Sequence, residues 1–187
     1  MNSITKFGIA HLSLLALPLG ARGQQFAVKT NLLFDAALTP DIGVEFVTGE
    51  HSSVALSVFG HWNPYGMQSK LIAVQPEFRY WFNGRPMVRE YIGATLWGAA
   101  YDIALAGNIY QGDAITAGLT GGYVLPLSKR MNIELSAGFG VLLFKQKKYL
   151  DTDHYDEYFV DSATRTNATG YKLFPAKLGV TFIYIIK

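Results

Sequence analysis

The chain has 187 residues, of which 50% are apolar, 14% aromatic and only 16% charged, and it contains no cysteine. An average soluble domain has about 25% charged residues, so this composition excludes a disordered polyampholyte and makes a fully water-facing surface hard to assemble. The formal net charge is +2 with scattered basic residues, which speaks against a nucleic-acid partner.

Residues 1–23 have the organisation of a cleaved secretory signal peptide. Lys6 supplies the positive region, an apolar stretch spans 7–20, and small residues occupy the cleavage-determining positions. An uncleaved anchor helix is disfavoured, because this stretch is shorter than the roughly 20 residues a membrane helix needs and Pro18 interrupts it. We expect export, and the remaining residues 24–187 have the length of one domain.

The exported part is a series of β-branched, aromatic and glycine-rich segments separated by turn signals. This pattern predicts β-strands and no long helix. We expect eight strands, at residues 25–36, 41–48, 53–62, 71–82, 90–102, 113–125, 131–145 and 171–186.

The predicted connections alternate in length along the chain. Those at 48–52, 83–86 and 126–130 are compact and polar, as hairpin turns are. Other connections are longer, and the final one, at 146–170, is the longest. If both chain ends lie in the periplasm, the short turns face the periplasm and the long loops face outside, which is typical of outer-membrane barrels.

Alternation within the strands distinguishes a membrane barrel from a soluble sandwich. In the last strand, Lys177, Gly179 and Thr181 share one face. The other face carries Leu178, Val180, Phe182 and Tyr184. The polar face of a sandwich tolerates long side chains, whereas a narrow closed lumen requires small ones such as glycine. We therefore predict an all-β, eight-stranded antiparallel up-and-down transmembrane β-barrel with a filled polar lumen.

Ionisable residues also fall on the predicted lumen faces, with three positive and three negative charges. They are Lys29, Glu45, Glu77, Arg79, Glu134 and Lys177. Eight strands enclose only enough space for side chains to fill, and buried charges persist when they are paired. We expect a charge network that plugs the barrel; a gated ion path, and thus a small porin, is the weaker alternative.

The C-terminal strand resembles the signal that the outer-membrane assembly machinery reads during insertion. Its pattern is a polar residue, a glycine, and then apolar or aromatic residues at alternating positions. The matching residues are Lys177, Gly179, Phe182 and Tyr184. The residues 185–187 extend past the usual terminal aromatic residue. We expect this machinery and outer-membrane lipid to be partners of the chain.

Five short segments carry a resemblance to a known family: VKTNLL at 28–33, PDIGVE at 40–45, EFRYWF at 77–82, YD at 101–102 and PAK at 175–177. They resemble an uncharacterised family of small outer-membrane barrels found in Bacteroides-like bacteria, with an OmpA/OmpX-like architecture. The resemblance implies a cell-envelope protein of a Gram-negative bacterium, associated with surface structures and without an established activity.

Catalytic signals are weak. The sequence contains no nucleophile elbow, phosphate loop or metal-ligand cluster, so we predict no cofactor, no metal and no enzymatic activity. His61 and Asp102 near the outer rim leave a lipid-modifying enzyme as the alternative, although another strand separates their two strands.

The final predicted loop, 146–170, combines acidic and aromatic residues, which suits contact with a surface protein or glycan. The candidate contact residues are Tyr149, Tyr155, Tyr158 and Phe159. Ser162 lies in a short sequence typical of O-glycosylation in Bacteroides-like bacteria. We predict a structural or surface-interaction protein, with a mobile shield over the barrel mouth as the alternative role of the loop.

Overall fold

The computed structural model describes residues 25–105, 108–150 and 166–186. The predicted signal segment 1–23 lies outside these ranges, as do Tyr155, Tyr158, Phe159 and Ser162. The described residues form a closed barrel of eight antiparallel strands in chain order. This confirms the predicted all-β, eight-stranded, up-and-down fold.

The strands differ widely in length, from six residues to twenty. They are β1 (Phe26–Asn31), β2 (Asp41–Val47), β3 (Ser52–Trp62), β4 (Ser69–Trp81), β5 (Arg89–Leu105), β6 (Asn108–Pro126), β7 (Met131–Leu150) and β8 (Thr166–Ile185). A short helix, α1 (Leu32–Ala36), follows β1, and a 3-10 turn lies at Pro64–Gly66. No helix of the described chain is long and apolar enough to cross a membrane.

The barrel has two unlike ends. The β2–β3, β4–β5 and β6–β7 connections lie at one end together with residues 25 and 186, and we call this the turn end. The helix α1 and the β3–β4, β5–β6 and β7–β8 connections lie at the opposite end, the loop end. The short turns therefore share an end with residues 25 and 186.

The first strand is shorter than predicted, because its second half is helical. The side-chain oxygen of Asn31 accepts a hydrogen bond from the backbone N–H of Leu33 at 3.2 Å, which caps α1 at its N-terminus. The Thr30 hydroxyl, 2.6 Å from Asp35, fixes the same turn. The prediction of a strand over 25–36 is thus wrong beyond Asn31.

The last four strands are longer than predicted at the loop end. The expected loops 103–112 and 146–170 are wrong in extent, because β5 runs to Leu105, β6 begins at Asn108 and β7 runs to Leu150. The sequence is polar at 145–148 and mostly polar at 166–169, so on β7 and β8 the backbone ladder continues where the apolar alternation of the sequence stops. Tyr149, expected in the final loop, consequently lies in β7 opposite Ile109.

The wall of the barrel between β8 and β1 is low, because these two strands share only a short ladder. Their ladder runs only from Ala27 opposite Ile185 to Asn31 opposite Thr181. Beyond Thr181, the β1 side of β8 has no partner strand among the described residues. The Asn31 and Gln75 amides instead donate to the carbonyl oxygens of Leu178 and Ala176, each at 3.2 Å, and α1 packs beside β8. Side chains and a helix thus cover this edge in place of a ladder.

A β-bulge in β8 changes which of its residues face the lumen. The partner of Gly138 is Lys177, whereas the partner of Gly140 is Phe174, so β8 contains one extra residue. Pro175 lies in the extra stretch, where its missing N–H is tolerated. As a result Phe174 faces inward.

Outward-facing side chains of the strands form an exposed band that we call the apolar belt. Its main members are Ile42, Phe46, Val54, Leu56, Val58, Ile72, Val74, Phe78, Ile92, Leu96, Ile115, Leu119, Leu125, Leu135, Phe139, Val141, Leu143 and Leu178. On β6 the belt runs from Ile115 to Leu125, and Asp113, opposite Lys145, bounds it at the loop end. Ten strand steps of about 3.4 Å at a tilt of about 40° give a height of about 26 Å.

Glycines on β6 and β7 allow these two strands to approach closely. A Cβ atom on Gly138 would lie 2.6 Å from the carbonyl oxygen of Leu119 and 2.7 Å from a side-chain carbon of Thr120. The first of these neighbours is backbone and has little room to move. Glycine at position 138 is therefore required by the spacing of the wall itself.

We predict that Gly138→Ala lowers the free energy of unfolding by about 1–3 kcal/mol, because the added methyl group overpacks the wall. The matched control is Gly98→Ala, where no described atom lies within 4 Å of the added Cβ. Urea unfolding of the purified barrel in detergent measures both. Equal effects of the two substitutions would contradict this account of the wall.

Candidate functional site in the barrel lumen

The six ionisable residues predicted to face the lumen lie in one buried cluster, which we call the charge layer. Arg79 on β4 is at its centre and contacts all three carboxylates. Its guanidinium nitrogens lie 3.0 Å from Glu45, 2.6 Å from Glu77 and 2.8 Å from Glu134. One arginine therefore joins β2, β4 and β7 across the lumen.

The two lysines complete the charge balance. Lys177 lies 2.6 Å from Glu77 and 3.3 Å from Glu134. Lys29 lies 3.3 Å from Glu134 and also pairs with Glu45. Three cations and three carboxylates are thus interleaved, so that no carboxylate is left with a like charge as its nearest neighbour.

Neutral side chains from the three remaining strands close the layer, and sequence patterns did not single them out. The Ser53 hydroxyl on β3 donates to Glu45 at 2.5 Å, Tyr91 on β5 donates to Glu134 at 2.6 Å, and Thr120 on β6 donates to Glu77 at 2.5 Å. The signal that finds them is their inward register, since Ser53 is the direct cross-strand neighbour of Arg79. All eight strands contribute to the layer.

Burial makes this pairing energetically decisive. Glu45 and Glu134 are fully buried and Arg79 is only 2% exposed. Moving a charge from water into a low-dielectric interior costs several kcal/mol, which close pairing and full hydrogen bonding offset. Removal of one member leaves its partners buried and uncompensated.

An apolar plug fills the turn end of the lumen below the charge layer. It consists of Ala27, Trp81, Met87, Tyr91, Val124 and Ile183. Met87 belongs to the β4–β5 connection and folds into the barrel mouth, where its carbonyl oxygen accepts a hydrogen bond from Asn132 at 2.8 Å. The plug and the charge layer together block the lumen.

The loop-end half of the lumen differs from the filled polar interior that we predicted. It contains a cavity of about 430 Å³, which we call the loop-end cavity. Apolar side chains of β4 to β8 dominate its lining, including Leu71, Trp97, Ile103, Leu142, Phe144 and Phe174. The prediction of a filled polar lumen is thus right for the middle of the barrel and wrong for its loop end.

The residues of the predicted assembly signal occupy different environments. Lys177 belongs to the charge layer, and Gly179 faces inward, where an added Cβ would lie 2.9 Å from the Asn31 amide. Phe182 and Tyr184 are on the outward face of the strand, beside the β1 residues Thr30 and Val28. The signal thus coincides with the strand that closes the barrel.

His61 and Asp102 do not meet. Both ring nitrogens of His61 are engaged inside the rim, at 3.1 Å from the Thr39 hydroxyl and 2.8 Å from the Ser69 hydroxyl. Strand alternation places Asp102 on the outward face, next to Lys70 on the neighbouring strand. Among the described residues, no group of three or more His, Cys, Asp or Glu side chains is placed to hold a metal ion.

We predict that Arg79→Ala lowers the free energy of unfolding by about 3 kcal/mol, because it leaves buried carboxylates unpaired. Lys145→Ala is the control, since Lys145 is an exposed cation on the outward face of β7. Equilibrium unfolding in detergent compares the two variants. A loss below about 0.5 kcal/mol for Arg79→Ala would show that the charge layer is solvated.

Comparison with known proteins adds a family and no precedent for function. No curated protein and no solved structure matches the chain. The model of the family DUF3575, described as a protein of unknown function, matches residues 9–186. The match covers nearly the whole sequence, and the chain therefore belongs to the DUF3575 family.

Proposed function

We propose that this protein is a small, non-enzymatic outer-membrane barrel of a Gram-negative bacterium, with a structural or surface-interaction role. Residues 1–23 act as the cleaved export signal, the turn end faces the periplasm and the loop end faces outside. Outer-membrane lipid surrounds the barrel, and the assembly machinery reads β8 during insertion. The proposal extends to a kinship with the OmpA/OmpX-like barrels of Bacteroides-like bacteria.

The apolar belt is the observation that carries this proposal. Its residues are exposed around the wall, and an apolar surface of this extent is rare on a monomeric soluble protein. Its height of about 26 Å suits the apolar band of about 25 Å found on outer-membrane barrels. A barrel also pairs its backbone groups internally, as hydrocarbon requires.

The blocked lumen supports a role other than conduction. The charge layer fills the cross-section with paired side chains from all eight strands, and the plug around Met87 seals the turn end. An ion that crossed the barrel would have to separate several buried pairs at once, each of them costly to break. We therefore favour a structural or interaction role over that of a porin.

The loop end supports a role at the cell surface. Strands β5 to β8 continue past Asp113 and Lys145, where the apolar belt ends, and so form a wall that projects beyond it. The connection 151–165 joins this wall and carries the predicted contact residues Tyr155, Tyr158 and Phe159, with Tyr149 at its base in β7. We infer that a surface protein or glycan binds here, and that Ser162 is the glycosylation site.

We predict that Leu119→Arg impairs membrane insertion, because arginine near the midplane of the belt costs about 2–4 kcal/mol in lipid. The matched control is Leu127→Arg in the β6–β7 turn, because Leu119 and Leu127 have nearly equal exposure, 66% and 62%. Insertion is measured by membrane fractionation and by the shift in gel mobility on heating. In a soluble barrel, two leucines of equal exposure would respond equally, and that outcome would overturn the proposal.

We also predict that a short turn in place of residues 151–165 leaves folding and insertion intact, because β7 and β8 keep their ladder. Crosslinking on intact cells should then lose a surface partner that the wild type retains. The control keeps the length of the connection but replaces only Ser162 with alanine. An unchanged set of crosslinked partners after the replacement would favour a shielding loop instead.

A further inference from the structure

The loop-end cavity is the feature of the lumen that neither sealing nor folding explains. The cavity is partly open, and its volume of about 430 Å³ lies in the range of small-molecule pockets, about 300–1,000 Å³. Ala99 and Ala114 form part of its lining, so that small side chains on β5 and β6 create the space.

The lining of the cavity selects the chemistry of its occupant. The walls are aliphatic and aromatic. The rings of Trp97 and Phe174 pack against each other in this lining, with their centroids 5.7 Å apart. Among the described residues, the lining contains no carboxylate and one cation, Lys172, whose ammonium lies 5.5 Å from the centroid of the Phe144 ring. An apolar chain with an anionic head group matches this combination of walls and charge.

The position of Lys172 depends on the bulge in β8. Beyond the bulge, the inward residues of β8 are Phe174 and Lys172, opposite the inward-facing Gly140 and Leu142 of β7. Without the extra residue, the alternation that starts at Lys177 would turn Lys172 toward the outside. The bulge therefore brings Lys172 to the cavity.

The low wall beside the cavity provides a route for the chain. Phe174 and Lys172 lie on the part of β8 that has no partner strand on its β1 side among the described residues. This edge is covered by α1 and by the amides of Asn31 and Gln75. An acyl chain that enters here from the belt displaces side chains and does not have to break a ladder.

We propose that the loop-end cavity binds one acyl chain with an anionic head group, with the chain against the rings of Trp97, Phe144 and Phe174 and the head group at Lys172. Such a chain comes from a free fatty acid or from an anionic phospholipid of the surrounding membrane. This binding goes beyond the proposed surface role, and it depends on the membrane location only for the source of the chain.

Photocrosslinking of the full mature chain in phosphatidylcholine vesicles tests the proposal. One arm uses palmitic acid with a diazirine on its chain, and the other uses phosphatidylglycerol that carries the same chain. Adducts mapped by mass spectrometry are expected on Trp97, Phe144 or Phe174, and excess unlabelled palmitic acid or phosphatidylglycerol should suppress them. The arm that labels these residues identifies the source.

Matched variants separate the cavity from ordinary lipid contact. Ala114→Leu fills the cavity and should reduce its adducts at least about fivefold, whereas Ala117→Leu, on the outward face of the same strand, should not. Lys172→Gln should weaken capture of the acid about tenfold, on the scale of a lost charged contact, and leave capture of the matching alcohol unchanged.

Adducts confined to belt residues such as Leu119 and Phe139 in both arms would overturn the proposal, because they report lipid around the barrel. Cavity adducts that survive in folded Ala114→Leu protein, or that excess unlabelled lipid does not suppress, would overturn it as well. If Ala114→Leu fails to fold, the mapping and competition in the wild type still decide. The Leu119→Arg test of membrane location is independent of these results.

Discussion

The interaction of Arg79 with three buried carboxylates is the one on which the rest of the lumen depends. Strands of a barrel hydrogen-bond only to their neighbours, whereas Arg79 on β4 reaches Glu45 on β2 and Glu134 on β7 across the interior. A slip of one residue in any of these strands turns its carboxylate from the lumen to the outer face. The charge layer therefore fixes the register of opposite walls, which the ladder alone does not couple.

The three layers of the lumen follow from this arrangement. Charges that are satisfied by one another require no water, so the plug around Met87 on one side and the loop-end cavity on the other can both be apolar. The apolar layers in turn keep water from the charges and strengthen their attraction, because Coulomb energies rise as the local dielectric falls. Polar and apolar layers thus stabilise one another.

Much of the fold is predictable from sequence because one physical rule, the alternation of inward and outward side chains, governs the strands inside the belt. Alternation identified the eight strands and placed all six ionisable residues on the inner face, where the structure brings them together. It does not report distance across the lumen, so the roles of Ser53, Tyr91 and Thr120 emerge only from the closed barrel.

The parts that the sequence did not predict are those where alternation stops being the governing rule. Beyond the belt, the sequence of β7 is polar at 145–148 and the alternation ends, although the ladder continues to Leu150. At Asn31 the side chain accepts a local hydrogen bond that caps α1, so the chain turns into a helix and the strand ends. At Pro175 the bulge shifts the inward set by one residue, so counting from Lys177 misplaces Lys172 and hides the cavity.

The early end of β1 at Asn31 and the bulge of β8 at Pro175 both lie on the strands that form the seam between the first strand and the last. The β1–β8 ladder has 5 residue pairs, against 19 between β6 and β7, because Asn31 ends β1 early. Regions with few backbone hydrogen bonds open locally at lower free energy than the rest of a fold. The same seam carries the β8 residues that line the loop-end cavity. The wall is thus weakest where the lumen is apolar, while the charge layer holds the barrel closed below it.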